Sequence, residues 1–321
     1  MILNWPFPWI PWIAELGGTL QALRAGDLPS SEALGNLCIP REAMNRKYTN
    51  EASRFMDLAG ARIHYRDEGT GPVLLLLHGI CNSLHTWDGW VQVLKSRFRI
   101  VRLDMPGFGL TGPVDRMAYS REGTVDAVLR FVDRLGLGSF SIAGNSLGGF
   151  VAWNLALRQP ARVQKMILLD PVGYNQPLPW ILELASTPFL RPLVQAMMPR
   201  VFFDTAIAQA YGDPSRATSR IRQRYFEMAM AEGNREAYLD LFEAMRALNR
   251  SADLSRGIRD IRVPTLVMWG LKDQWIPHRF LYRWKRDLPS ARYISYPGVG
   301  HMPMEEIPGP TALDALRFLN G

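Results

Sequence analysis

The stretch Phe140-Ser141-Ile142-Ala143-Gly144-Asn145-Ser146-Leu147-Gly148-Gly149 runs from a short strand-like segment into a helix-like one that continues to Arg158. A strand that turns at once into a helix holds its turn residue in a strained conformation, and only small neighbours let the chains pass. Gly144 and Gly148 are those neighbours. The serine between them is lifted clear of the backbone. The helix start offers free N–H groups and a positive dipole end to any anion that forms beside it. A Gly-x-Ser-x-Gly pattern also occurs by chance in loops, so its surroundings decide what it means.

Working outward, residues 51–173 alternate strand-like and helix-like segments. The strands are expected at Arg62 to Asp67, Val73 to Leu77, Arg99 to Leu103, Ser141 to Ala143 and Lys165 to Leu169. Val73-Leu74-Leu75-Leu76-Leu77 and Met166-Ile167-Leu168-Leu169 are apolar throughout rather than alternating, the mark of strands covered on both faces of a parallel sheet. The stretches Trp87 to Leu94, Glu122 to Leu135 and Gly149 to Leu157 are long enough for crossover helices. From Tyr174 to Gly257 the strand signal gives way to helical sequence rich in methionine and aromatics. Strand patterns return at Thr265 to Trp269 and Arg292 to Tyr296, before a closing helix at Thr311 to Leu319.

A serine hydroxyl needs a base within reach, itself oriented by a carboxylate, before it can act as a nucleophile near neutral pH. Trp269-Gly270-Leu271-Lys272-Asp273 places an aspartate just past one strand, and Gly298-Val299-Gly300-His301 a histidine just past the next. Both stand at the carboxyl ends of strands, where open α/β sheets bind ligands. Asp170, in Leu169-Asp170-Pro171, is the competing candidate for the orienting acid.

With these motifs the chain resembles a cap-bearing α/β-hydrolase fold enzyme over roughly residues 55–321. Ser146, Asp273 and His301 come in that family's order, and His78-Gly79, Asp104-Met105-Pro106-Gly107-Phe108-Gly109 and the Ser146 elbow stand in matching places. The resemblance implies an α/β fold with a mostly parallel sheet, residues 51–173 and 258–321 as its core and residues 174–257 as a helical cap. It implies that Ser146 attacks a carbonyl, His301 shuttles the proton and Asp273 holds the imidazole, with the backbone N–H groups of Ile80 and Leu147 as oxyanion hole. His78 is expected to brace the oxyanion loop, Asp104 to form a turn, and Cys81 to line the site passively. His85 and His278 are expected at the surface or on a pocket wall.

Family branches divide at the elbow. Haloalkane dehalogenases and epoxide hydrolases of this superfamily use an aspartate there, whereas Ser146 argues for acyl chemistry. The first expectation is therefore an esterase or lipase acting on apolar acyl esters. The alternative is a carbon–carbon bond hydrolase of the meta-cleavage type, which also carries an Asn-Ser elbow like Asn145-Ser146. A noncatalytic ligand-binding relative is a third reading.

At 321 residues, 47% hydrophobic and 21% charged, the composition is that of a globular protein with one large core. The net charge of +7 comes from scattered arginines, with a cluster at Arg216, Arg220, Arg222 and Arg224 that reads as a solvated helix face or a surface for anionic lipid. There is no nucleic-acid module. Two distant cysteines and five histidines without ligand spacing suggest neither disulfide nor metal, so the expectation is cofactor-free chemistry in a reducing, cytoplasmic compartment.

Residues 1–50 form a Trp- and Pro-rich extension. Trp5, Phe7, Trp9 and Trp12 alternate with prolines, and Trp12, Ile13, Leu16, Leu20 and Leu23 repeat at helical spacing. Neither a secretory signal nor the roughly 20 apolar residues of a spanning helix is present. The stripe is expected to dock on the cap, on a second subunit in a homodimer, or on a membrane surface through residues 1–26, which would place the protein at the periphery of the inner membrane with a lipid ester as substrate.

Overall fold

The computed structural model describes residues 30, 34–58, 60–251 and 253–321. The apolar N-terminal stripe thus lies outside the described residues. Eight strands form one sheet: β1 (Ser53–Leu58), β2 (Ala61–Glu68), β3 (Val73–Leu77), β4 (Arg99–Leu103), β5 (Phe140–Asn145), β6 (Val163–Leu169), β7 (Thr265–Gly270) and β8 (Arg292–Tyr296), in the order β1-β2-β4-β3-β5-β6-β7-β8. β1 and β2 pair antiparallel with each other, and β2 with β4; every later pairing is parallel.

Helices interrupt the strands in chain order: α1 (Arg41–Tyr48), α2 (Asp88–Leu94), α3 (Arg121–Arg134) and α4 (Leu147–Arg158), then α5 (Trp180–Ala185), α6 (Arg191–Ala196), α7 (Arg200–Ala210), α8 (Ser219–Met230) and α9 (Asn234–Ser251) between β6 and β7. α10 (Arg279–Asp287), α11 (Pro303–Glu306) and α12 (Pro308–Asn320) follow. Among the described residues no helix is long and apolar enough to cross a membrane.

The all-apolar strands are explained by what covers them. Successive side chains of β3 point to opposite faces. Leu74 and Leu76 join Trp87, Trp90, Ala312, Ala315 and Phe318 on one side, while Leu75 and Leu77 join Val128, Phe131, Phe150, Val151 and Trp284 on the other. A polar tie locks the first layer, because Trp90 Nε1 donates to Thr311 Oγ1 at 2.9 Å. Strand β1 and helix α1 were not foreseen. β1 alternates weakly and stays half-exposed, so it carries little hydrophobic signal. α1 is polar and held by side-chain bonds: Arg41 donates to Glu232 O and Asn234 Oδ1, and Tyr48 Oη to Glu227 Oε2.

The loop after β3 rests on a buried polar cluster. Asp104 Oδ2 is 2.7 Å from His64 Nδ1 and accepts the Leu110 N–H, while its Oδ1 accepts the Leu84 N–H. Burial works against that charge, but His64 outweighs it and holds the carboxyl below its usual range. Of the two places expected for His85, surface or pocket wall, it takes the second, lining a hollow with Tyr48, Thr86 and Arg224. It is buried between Tyr48 O, Ser83 Oγ and Arg66, because Arg66 and Tyr48 close over it. Burial pushes its pKa down to about 3, so the folded protein holds it neutral.

An unfolded histidine binds a proton near pH 6.5. The stability that neutral His85 contributes is therefore complete above about pH 6.5 and is lost as pH falls toward 3. His85→Gln is expected to flatten the decline of Tm between pH 7 and pH 4; equal slopes for variant and wild type in thermal unfolding would contradict this.

Candidate active site

Ser146 is the single residue between β5 and α4, with φ 54° and ψ −115°. A non-glycine residue in that region is strained and must be held by its surroundings. The restraint is visible in the packing. A Cβ on Gly144 would lie 2.2 Å from Gly148 O, and one on Gly148 would lie 2.3 Å from Leu77 O, so the flanking glycines are required by chain crossing. The Ser146 N–H donates to Leu169 O at 3.0 Å, and Ser146 O accepts from Phe150 and Val172. Strand, helix and the chain after β6 all clamp the turn.

Asp273 and His301 meet directly. His301 Nδ1 stands 2.7 Å from Asp273 Oδ2, and Asp273 Oδ1 accepts the N–H groups of Trp275 at 2.7 Å and Ile276 at 2.9 Å. A carboxylate so held fixes the imidazole with its proton on Nδ1 and its lone pair on Nε2. His301 Nε2 is buried and has no protein partner. Ser146 and His301 line the same cavity. The structure thus brings His301 onto Asp273 by a bond, and Ser146 and His301 to one cavity wall.

The two proposed oxyanion donors lie beside the serine. Leu147 opens α4, where the first N–H groups have no intrahelical acceptor. Ile80 lines the cavity with Ser146, and a Cβ on the preceding Gly79 would lie 3.1 Å from Ser146 Cβ. Among the hydrogen bonds of the described residues, neither N–H has an acceptor. His78, as expected, braces this loop: its Nε2 accepts the Met105 N–H at 3.0 Å and its Nδ1 donates to Gly79 O at 2.7 Å. Burial lowers its pKa, in keeping with a neutral ring.

Cys81, at φ 56°, lines the apolar branch, where burial pushes its thiol up and away from reactivity. His278 is exposed. Asp170 is buried and bonds the Gly270 N–H, not His301. Among the described residues no group of three His, Cys, Asp or Glu side chains could hold a metal.

Two cavity branches meet at Ile80, Leu182, Trp275 and His301. One is walled by Phe202, Phe203, Ile207, Tyr211 and Tyr238. The other contains Ser146, Val172, Gln176, Met245 and Asn249. Gln176, Leu178 and Asn249 also line a surface hollow with Arg246 and Arg250.

Several of these residues were missed at the level of sequence. The Trp275 ring stacks on His301, centroids 5.4 Å apart, and Asn145 Nδ2 donates to His301 O at 3.0 Å. Glu305, just past the histidine, accepts from Tyr211 and Tyr225 hydroxyls at 2.8 and 2.7 Å and from Arg224. Glu306 accepts the N–H groups of Gly212, Asp213 and Gly300. The only sequence signal for this anchor was a pair of acids beside His301. Of the arginine cluster, Arg216 and Arg220 are exposed, as a solvated face requires, with Arg216 pairing to Asp213 and Glu306 and Arg222 to Asp204; Arg224 departs from it, largely buried against Glu305.

A family model described as alpha/beta hydrolase fold matches residues 72–308. Pimeloyl-[acyl-carrier protein] methyl ester esterase of Nitrosomonas europaea is 30% identical over 257 residues, covering 77% of this chain and 96% of that protein. The 2-hydroxy-6-oxo-6-phenylhexa-2,4-dienoate hydrolase of Burkholderia cepacia is 28% identical over 260 residues, covering 76% and 86%. In fold, the crystal structure of a bacterial membrane phospholipase A superposes with a TM-score of 0.74 at 23% identity, covering 97% of this chain and 96% of that one.

Removing one partner of a buried ion pair costs roughly 3–5 kcal/mol, because the other charge is left uncompensated. Glu305→Ala, which strands Arg224, is expected to cost about that much stability and to raise hydrogen exchange in α8. Chemical denaturation with an unchanged midpoint would refute it.

Proposed function

The chain belongs to the α/β-hydrolase fold family, and we propose that it is a serine carboxylester hydrolase that cleaves apolar acyl esters through an acyl-enzyme. The observation that carries this reading is His301, whose Nδ1 is tied to Asp273 while its unpartnered Nε2 lines the cavity that holds Ser146. In this mechanism Ser146 Oγ attacks the ester carbonyl carbon and gives its proton to His301 Nε2. The carbonyl oxygen, now an anion, accepts from the Ile80 and Leu147 N–H groups. As the tetrahedral centre collapses, the alcohol leaves with the proton from Nε2. Water then attacks the acyl-enzyme, with His301 again as base, and releases the acid.

The aromatic and aliphatic branch accommodates the acyl chain, and the helices of residues 174–257 act as its cap. Asn145 lines the first branch, Gln176 the second and Trp275 both, and each carries a buried polar atom without a protein partner. The serine at the elbow argues against displacement at saturated carbon, for which relatives in this superfamily carry an aspartate.

A second reading is hydrolysis of a carbon–carbon bond in a dienoate. Two observations favour it: the Burkholderia cepacia relative, and the second branch, which shares Gln176, Leu178 and Asn249 with a surface hollow where Arg250 would suit an anionic end, Arg246 there being paired with Glu183. A panel of p-nitrophenyl esters from acetate to palmitate, run beside a 2-hydroxy-6-oxo dienoate, separates the two. Ester turnover is expected to exceed dienoate turnover; turnover of the dienoate alone would replace the first reading with the second. Ser146→Ala and Asp273→Asn are each expected to lower kcat by about 10⁴-fold or more. A serine-directed fluorophosphonate is expected to label Ser146 in the folded protein, and full turnover by Ser146→Ala would exclude both readings.

A further inference from the structure

Asp170 is the buried carboxyl that this chemistry leaves without a task. It follows β6 directly, at φ 43°, and is fully buried. Its N–H donates to Met268 O at 3.0 Å and its Oδ1 accepts the Gly270 N–H at 2.9 Å. Oδ2 is buried with no N–H directed at it. The side chain lies beneath the turn that runs from Gly270 to Asp273, within hydrogen-bonding reach of the Asp273 carboxyl. The charged groups facing it are Asp273 from that turn and Glu306 from α11, with the phenol of Tyr296 on β8 nearby.

Two buried carboxyl groups in contact cannot both be ionised. Their partners decide which keeps the proton. Asp273 accepts from three N–H groups, those of Trp275, Ile276 and His301, whereas Asp170 accepts from one. The charge therefore belongs on Asp273 and the proton on Asp170. We propose that Asp170 is a positioning residue: as a neutral carboxylic acid it donates its Oδ2 proton to Asp273 and so holds that carboxylate against His301. Burial first, and the Asp273 charge second, push the Asp170 carboxyl well above its ordinary range. The inference rests on the proposed roles of Ser146, His301 and Asp273, and it gives the acid of that relay a support besides the Trp275 and Ile276 N–H groups.

The sign of the linkage supplies a test that needs no turnover. Unfolded Asp170 ionises near pH 4 while the folded form keeps its proton, so wild type must lose stability as pH rises above that value. Asp170→Asn cannot ionise, yet it keeps an acceptor for Gly270 and a donor for Asp273. Relative to this variant, the unfolding equilibrium constant of wild type is expected to rise as pH increases above about 5, by up to about tenfold per pH unit for as long as folded Asp170 keeps its proton. Parallel curves, or an Asp170→Asn chain that does not fold, would overturn the proposal.

Kinetics add the second arm. At pH 7 Asp170→Asn is expected to keep kcat within about threefold of wild type, while Asp170→Leu, which has no donor, lowers kcat about tenfold or more with KM little changed. Wild-type kcat in a folded Asp170→Leu would also overturn it. If instead Ser146 proved unnecessary for turnover, the proposed function would fall, and the unfolding curves would still report the proton on Asp170.

Discussion

The carboxyl edge of the sheet is organised around one buried hydrogen bond, His301 Nδ1 to Asp273 Oδ2 at 2.7 Å. A charge-assisted bond in a site closed to water is strong, but only if both partners are already in place. Each is held by backbone. Asp273 is gripped by two N–H groups of its own turn. His301 is gripped from outside its loop: its N–H donates to Ala210 O and its carbonyl accepts from Asn145. The residue next to the strained serine and the end of α7 thus both determine where the imidazole stands.

That arrangement makes the helical segment between β6 and β7 part of the site's framework rather than a lid laid over it. Glu305 and Glu306 follow the histidine and bind Tyr211, Tyr225, Arg224 and the Gly212 and Asp213 amides. Tyr211 and Tyr225 also wall the apolar branch. The groups that shape the cavity and the groups that anchor the histidine loop are therefore one network. Burial is what gives it strength, since the same contacts at the surface would be screened to little effect.

Much of the fold was legible from residue pattern. The runs in β3 and β6 are apolar on both faces because helices cover both faces, and the return of strand pattern at Thr265 marked the end of the helical segment. Gly144 and Gly148 were legible for a local reason, since a Cβ at either would strike main chain. β1 and α1 were not, because one is half-exposed and the other is polar and held by side-chain bonds to α8 and its neighbours. Pattern alone left His85 open between surface and pocket wall for a related reason: its burial is made by Tyr48 and Arg66, which are far away along the chain.

By itself the sequence determined the element types, the parallel sheet, the strained turn at Ser146 and the positions of an acid and a histidine past later strands. These follow from periods of a few residues and from steric limits on single positions, which act within a short span of chain. Only the tertiary structure decided that His301 bonds Asp273 and not Asp170, that Trp275 stacks on it, and that three of the four clustered arginines are paired with carboxylates. Those outcomes depend on which groups meet after residues far apart in sequence have packed. The desolvation that sets their protonation exists only once the core has closed around them.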